Sequence, residues 1–182
     1  MRRQTGFTIT ELLVVSAIVA ILLSIGIPQY RYVTNSYRMS SEVNNLLGDL
    51  MYARGEAIKE GNGVTVCASS DGATCSGLPS WQNGWLVFSN AGNAANPPAG
   101  TILRVQAKFT GTTPDTFVAG SGVSAITYNR EGFATAAGFA PTLFTLRDPS
   151  NNAQWTRCLY VTAQGSYSTE TPATTFTPIA CT

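Results

Sequence analysis

The chain opens on an apolar run with almost no interruption. From Phe7 to Ile27 there are 21 residues and one ionisable group, Glu11. As a helix this stretch is about 31 Å long, enough to cross the hydrocarbon core of a bilayer. Pro28 follows it, and a proline inside a helix removes one backbone donor, which predicts a kink or local loosening over residues 25–28. Helical spacing resumes beyond the proline. Val43, Leu46, Leu47, Leu50 and Ala57 share a face, while Glu42, Asn45, Asp49, Arg54 and Glu56 fall largely on others. Gly61-Asn62-Gly63 supplies a stop. The pattern predicts one helix from Thr8 to Glu60, about 80 Å long if continuous.

After Gly63 the period changes. Short runs rich in Val, Thr, Phe and Tyr alternate with Gly, Asn, Asp and Pro, predicting strands over 64–69, 84–89, 101–108, 124–130, 142–147 and 157–162, and a short one near 166–169. The segment 90–100, NAGNAANPPAG, has no apolar periodicity and reads as a surface loop. No internal repeat and no second domain boundary is visible, so one core with an appended helix is the expectation for 182 residues.

Composition narrows the chemistry. Eleven basic and ten acidic residues leave a net charge of +1, which does not advertise a polyanion-binding surface. Only 12% of residues are charged, and the abundance of Gly, Ala, Thr, Ser and Asn suits a β-rich secreted or cell-surface protein. Histidine is absent, which excludes His-based triads, His-ligated metals and His general bases. No serine, lysine or carboxylate cluster has catalytic spacing, so no catalytic residue, metal ligand or cofactor is expected, and a membrane-anchored hydrolase is a poor fit. Cys67, Cys75, Cys158 and Cys181 form no CxxC pair, and without histidine a zinc site would need all four thiolates. Four cysteines permit three connectivities, and closeness in sequence favours 67 with 75 and 158 with 181. Two such bonds imply an oxidising compartment. In the chain-entropy view they stabilise by roughly 2.5 and 3.5 kcal/mol.

Glu11 decides how the apolar run is read. A secretory signal has a shorter apolar core and a small-x-small cleavage site, whereas this run leads into Ile-Pro-Gln-Tyr-Arg-Tyr. A plain anchor explains the length, and Arg2 and Arg3 ahead of it place the N-terminus in the cytoplasm. An acid within it, however, costs roughly 2.5–3.5 kcal/mol at mid-membrane and less near an end. Taken whole, Gly6, Phe7, the acid fifth in line from Phe7, the apolar run and Pro28 resemble the class III signal of type IV pilins and type II secretion pseudopilins. Thr8 and Thr10 depart slightly from the common pattern. The resemblance implies that a membrane peptidase cuts after Gly6 on the cytoplasmic face and methylates Phe7, and that the helix stays on as the polymerisation element. Cleavage would create an ammonium at Phe7, within a helical turn of Glu11, and a carboxylate in hydrocarbon is tolerable beside such a partner. Between subunits, that pair would report register during assembly.

Four further stretches, LLGDLMYARGEAIKEGNGVTVCAS, WQNGWLVFSN, ITYNREGFAT and RCLYVTAQGS, resemble in their order the H-type pseudopilins and the FimT/FimU minor pilins. Tyr52, Ala53, Arg54, Glu56 and Ala57 carry the helix-end pattern, and Trp81, Gly84, Trp85, Val87 and Phe88 the tryptophan hairpin. The resemblance implies an α+β, type IV pilin-like fold with a long helix packed on an antiparallel head. The expected division is a leader over 1–6, a transmembrane and polymerisation helix over 7–29, helix packed on the head over 30–61, and a β-rich head over 62–182. It also implies a minor pilin that helps prime or build a type IV pilus, or alternatively an H-type pseudopilin. Its partners would be the prepilin peptidase/methyltransferase, other pilins or pseudopilins, and the inner-membrane assembly platform. The location would be the inner membrane with a periplasmic head, and then the fibre. Some FimT-type relatives bind DNA through a C-terminal Gly-Arg-x-Arg motif. Here Gly165 matches the glycine, but Ser166 and Ser168 stand at the arginine positions, which disfavours nucleic acid as a partner. Physical reading assigns Trp81 and Trp85 to a turn and core, Gly132 to a turn, and Arg54 and Glu56 to a solvated helix face.

Overall fold

The computed structural model describes residues 8–90, 96–98, 100–110, 114–135, 141–172 and 181. The predicted cleavage pair, Gly6 and Phe7, lies outside these residues. A single helix, α1, covers Ile9–Glu60 and contains Pro28 without ending there. The chain divides into two compact units, one ending at Arg38 and the other beginning at Met39.

In the first unit every described residue from Thr8 to Thr34 is exposed. Apolar side chains point outward all round the helix, with Ile9 at 81%, Leu12 at 65%, Leu22 at 64% and Ile25 at 69% of full exposure. An 18-residue window of this helix reaches a mean hydropathy of 2.4. Such a helix has no polar side to give to water, so lipid or protein must cover it. Its few hydroxyls suit that surrounding. Ser16 donates to the Leu13 carbonyl at 2.9 Å and Ser24 to the Ile21 carbonyl at 2.7 Å, which leaves neither proton unpaired in an apolar medium.

In the second unit α1 buries Met39, Val43, Leu46, Leu50, Ala53 and Ala57. The alternating steps of four and three residues make one continuous seam. Among the described residues nine strands follow: β1 Val64–Ala68, β2 Gly84–Ser89, β3 Ile102–Ala107, β4 Thr116–Ala119, β5 Ala125–Tyr128, β6 Ala134–Thr135, β7 Thr142–Arg147, β8 Arg157–Val161 and β9 Tyr167–Glu170. They form two antiparallel sheets, ordered β3-β2-β1-β5-β6 and β4-β7-β8-β9. The helix seam and one face of each sheet share a single core. Trp81 and Trp85 are both fully buried in it. Trp81 packs edge-on against Phe144 at 5.1 Å, and Trp85 against Phe109 at 6.1 Å and Phe117 at 6.5 Å. Each indole nitrogen donates, Trp81 to the Val123 carbonyl at 3.0 Å and Trp85 to Asp49 Oδ2 at 2.8 Å. The tryptophans therefore belong to the core.

Strand alternation places the disulfides. Along β1, Val64, Val66 and Ala68 enter the main core, while Cys67 faces the other way and clusters with Leu86, Phe88, Ala125 and Cys75. Along β8, Leu159 and Val161 face the core, and Cys158 clusters outside it with Leu143, Tyr160 and Cys181. Cys67 is bonded to Cys75 and Cys158 to Cys181. Each bond thus closes the face of its sheet that α1 does not cover.

Two strands, β4 and β6, have no counterpart in the predicted set. β4 shows period-two burial, with Phe117 and Ala119 inside and Thr116 and Val118 outside, but four residues give a weak sequence signal. β6 has two residues and exists through its pairing with β5. The predicted loop 90–100 also needs correction at its start. Asn90 is buried, and its Nδ2 donates to Thr65 Oγ1 at 2.9 Å, within hydrogen-bond reach of Thr127 Oγ1 at 2.8 Å.

One buried pair gives the head a testable pH response. The Tyr167 hydroxyl lies 3.0 Å from that of Tyr128 and 3.3 Å from the Leu50 carbonyl. Burial raises both phenols above the ordinary value of 10.0. The unfolded chain therefore releases these protons at a pH where the folded chain still holds them. Their contribution is complete below about pH 10 and is lost as pH rises beyond it, with a limiting slope of about 1.4 kcal/mol per pH unit for the more deeply buried Tyr128. Denaturant unfolding across about pH 9 to 11 should show this slope, and Tyr128→Phe should make it shallower. An unchanged slope in the variant would contradict the assignment.

Candidate functional site

At the start of α1 the chemistry rests on Glu11. Its side chain is exposed, and its backbone N–H donates to Thr8 Oγ1 at 3.3 Å. Thr8 thus stands as the N-cap with Glu11 at the third helical position, a spacing at which an acid also favours the helix dipole. The sequence carried this signal in Thr8-Ile9-Thr10-Glu11, and reading Glu11 for its charge alone missed it. Glu11 therefore starts the helix as well as placing a carboxylate beside the apolar run. Pro28 lies inside the same exposed stretch of α1.

At the other end of α1, Arg54 departs from the solvated face expected of it. The guanidinium donates three bonds into two turns: Nε to the Gly132 carbonyl at 3.0 Å, one Nη to Gly165 at 2.7 Å and the other to Gln164 at 3.2 Å. Gly132 lies in the turn joining β5 to β6, and Gly165 in the turn joining β8 to β9. The two turns belong to different sheets, and the start of β6 also touches the β8–β9 turn directly, through Ala134 N–H donating to the Ala163 carbonyl at 2.9 Å. Both glycines have positive φ, +81° and +74°. A Cβ on Gly165 would sit 2.7 Å from the Gly132 oxygen and 2.9 Å from Arg54 Nε. One fork-shaped cation thus locks the helix end to both sheets, a geometry that a lysine point charge would not reproduce. Glu56 pairs with Lys59 at 2.8 Å, and with its side chain 14% exposed it too departs from the solvated face expected of it. One turn earlier Asp49 accepts from Trp85 and from Arg104 Nη1 at 3.1 Å, and Arg104 lies over the Tyr52 ring at 3.7 Å.

Gly165 consequently has a structural task unrelated to phosphate binding. Ser166 Oγ lies 2.7 Å from Thr162 Oγ1, and Ser168 donates to Glu170 Oε1 at 3.5 Å, so both hydroxyls are turned onto their own hairpin. Neither position therefore carries a cation, and both carry neutral groups bonded within the hairpin.

The family described as Type II transport protein GspH matches residues 42–165, from the second half of α1 to the glycine under Arg54. This chain belongs to the GspH family. A prokaryotic N-terminal methylation motif matches residues 1–27, so this GspH-family chain joins the two parts that the resemblances implied. Its fold is similar to crystal structures of the type IV minor pilin FimU from Pseudomonas aeruginosa, strain PAO1. One match has a TM-score of 0.56 and 21% identity and covers 79% of this chain and 99% of that one. Another crystal form gives 0.55 and 18%, covering 85% and 98%. The GspH-family head and its long helix therefore have the type IV pilin-like architecture, and the N-terminal motif is of the kind that is processed by a peptidase.

Proposed function

We propose that this chain is a minor pilin of a type IV pilus. It is made as a precursor, cut after Gly6 and methylated at Phe7 by the prepilin peptidase/methyltransferase. Residues 7–29 hold it in the inner membrane, residues 30–61 support the head, and residues 62–182 form a periplasmic head stapled by its two disulfides. It then joins other pilins through the assembly platform, to prime or extend the fibre. The observation that carries this reading is the first unit of α1: an apolar surface exposed on every side, bearing one carboxylate near its start, within a methylation motif. A helix of that kind needs a partner surface along its length and a cation at its beginning. A bundle of processed pilin helices supplies both, because each new N-terminal ammonium can meet the acid at the equivalent place on a neighbour.

Glu11→Ala tests the pairing. Cleavage and methylation should proceed, since the scissile pair is untouched, while incorporation into fibres should fall about tenfold or more, because removing one partner of a buried ion pair costs about 3–5 kcal/mol. Immunoblots of sheared fibres against membrane fractions read this out, and normal incorporation would leave Glu11 only its place in the first turn of the helix.

A second reading is supported by the family description itself, that of a type II transport protein. Under it the chain is the H-type pseudopilin of a type II secretion system. Deletion of the chain separates the two: loss of surface pili with secretion intact supports the pilin, and retention of exoproteins in the periplasm with pili intact supports the pseudopilin.

A further inference from the structure

Immediately beyond the apolar run, α1 reads Pro-Gln-Tyr-Arg-Tyr, with Tyr30 and Tyr32 on either side of Arg31. These rings lie outside any core: Tyr30 is 72% exposed and Tyr32 41%. Tyr37, further along the same unit, is 74% exposed. The spacing of these tyrosines from Glu11 says what surrounds each of them. Glu11 to Tyr30 is about 28 Å along a helix, close to the roughly 30 Å of bilayer hydrocarbon. Tyr30 to Tyr32 then lie about 5–8 Å beyond Ile27, which matches one headgroup layer of about 5–7 Å, whereas Tyr37 lies about 15 Å beyond it.

We propose that Tyr30, Arg31 and Tyr32 form an interfacial girdle that binds glycerophospholipid headgroups of the outer leaflet and fixes the depth of α1 in the membrane before assembly. A tyrosine ring accepts acyl-chain contact while its hydroxyl reaches water and ester carbonyls. A guanidinium between two such rings forms paired bonds to lipid phosphate. With the girdle at one boundary, Glu11 is held about one hydrocarbon thickness away, just inside the opposite boundary. There its charge costs less than at mid-membrane, and it stands level with a newly cut neighbour. The inference rests on the membrane-spanning reading of residues 7–29.

The test uses the processed full chain in vesicles of phosphatidylethanolamine and phosphatidylglycerol. All four native cysteines are disulfide-bonded, so a nitroxide attaches only to an introduced thiol. Collision with oxygen, which concentrates in hydrocarbon, is compared with collision with a water-soluble nickel chelate. Ala17→Cys should report hydrocarbon, Ile27→Cys the headgroup boundary, and Tyr37→Cys water. Adding Tyr30→Ala and Tyr32→Ala should change the oxygen-to-nickel ratio at Ile27→Cys several-fold while Ala17→Cys stays in hydrocarbon. An unchanged ratio at position 27 overturns the girdle, and so does a hydrocarbon reading at position 37. Unchanged depth with loss of fibres would assign the tyrosines to a neighbouring subunit, against the proposal. A water-exposed label at position 17 removes the spanning helix and the girdle together.

Discussion

Gly6→Ala is expected to leave the chain uncut in the membrane, with residues 1–6 still attached and Phe7 unmethylated. A peptidase that cuts within a few residues of the membrane face must bring the scissile backbone close to its catalytic groups, and a residue without Cβ permits the closest approach. Failure there has a consequence at Glu11. Phe7 keeps an amide nitrogen in place of an ammonium, and the acid at the start of the apolar run loses its partner. Arg2 and Arg3 also stay on the cytoplasmic side, where they resist passage through the bilayer when the helix is drawn outward. The variant should therefore be absent from fibres altogether, a larger effect than that of Glu11→Ala. Intact-mass spectrometry decides the matter: wild type should lack residues 1–6 and carry one methyl group on Phe7, and the variant should retain the full 182 residues. A methylated, shortened Gly6→Ala chain would refute the processing scheme.

Local chemistry was legible in the sequence wherever one stretch of chain carries its own explanation. The helix was read as Thr8–Glu60 and is Ile9–Glu60, because Gly61-Asn62-Gly63 can stop a helix without help from the rest of the fold. The strands at 64, 84, 142 and 157 begin where alternation and turn residues place them. What the sequence concealed was long-range. Arg54 looked like one more charge on an amphipathic helix, yet its three acceptors lie 78 to 111 residues away. No helical period points to them. The turn at Gly132 was visible, in Arg-Glu-Gly, but not that it meets the turn at Gly165. β6 was hidden for the same reason, since two residues become a strand only when β5 lies alongside. The exposure of the apolar run was anticipated, and no core among the described residues of the first unit covers it.

Gly165→Ala is expected to be among the most damaging single methyl groups in the head. Position 165 has φ +74°, where an L-residue pays about 1–2 kcal/mol. Its Cβ would then stand 2.7 Å from the Gly132 carbonyl oxygen and 2.9 Å from Arg54 Nε. The first contact is with backbone and cannot swing aside. Either the β8–β9 turn moves off the β5–β6 turn, or Arg54 is driven away from the carbonyls it serves, and hydrogen bonds to a charged donor contribute about 1.5–3 kcal/mol each. A total of about 3–5 kcal/mol follows, a fall in Tm of about 10 °C for a domain of this size. Gly77 provides the control, with φ +69° and nothing within 4 Å of an added Cβ. Gly77→Ala should therefore cost only the backbone term of about 1–2 kcal/mol. Arg54→Ala completes the cycle. It empties the space that the new methyl group contests, so Gly165→Ala should cost less in that background, with a coupling of about 1 kcal/mol or more. Thermal unfolding of the processed chain in detergent, followed by circular dichroism, measures all four. Equal losses at positions 165 and 77, or strict additivity with Arg54→Ala, would mean that the guanidinium does not lock the two turns together.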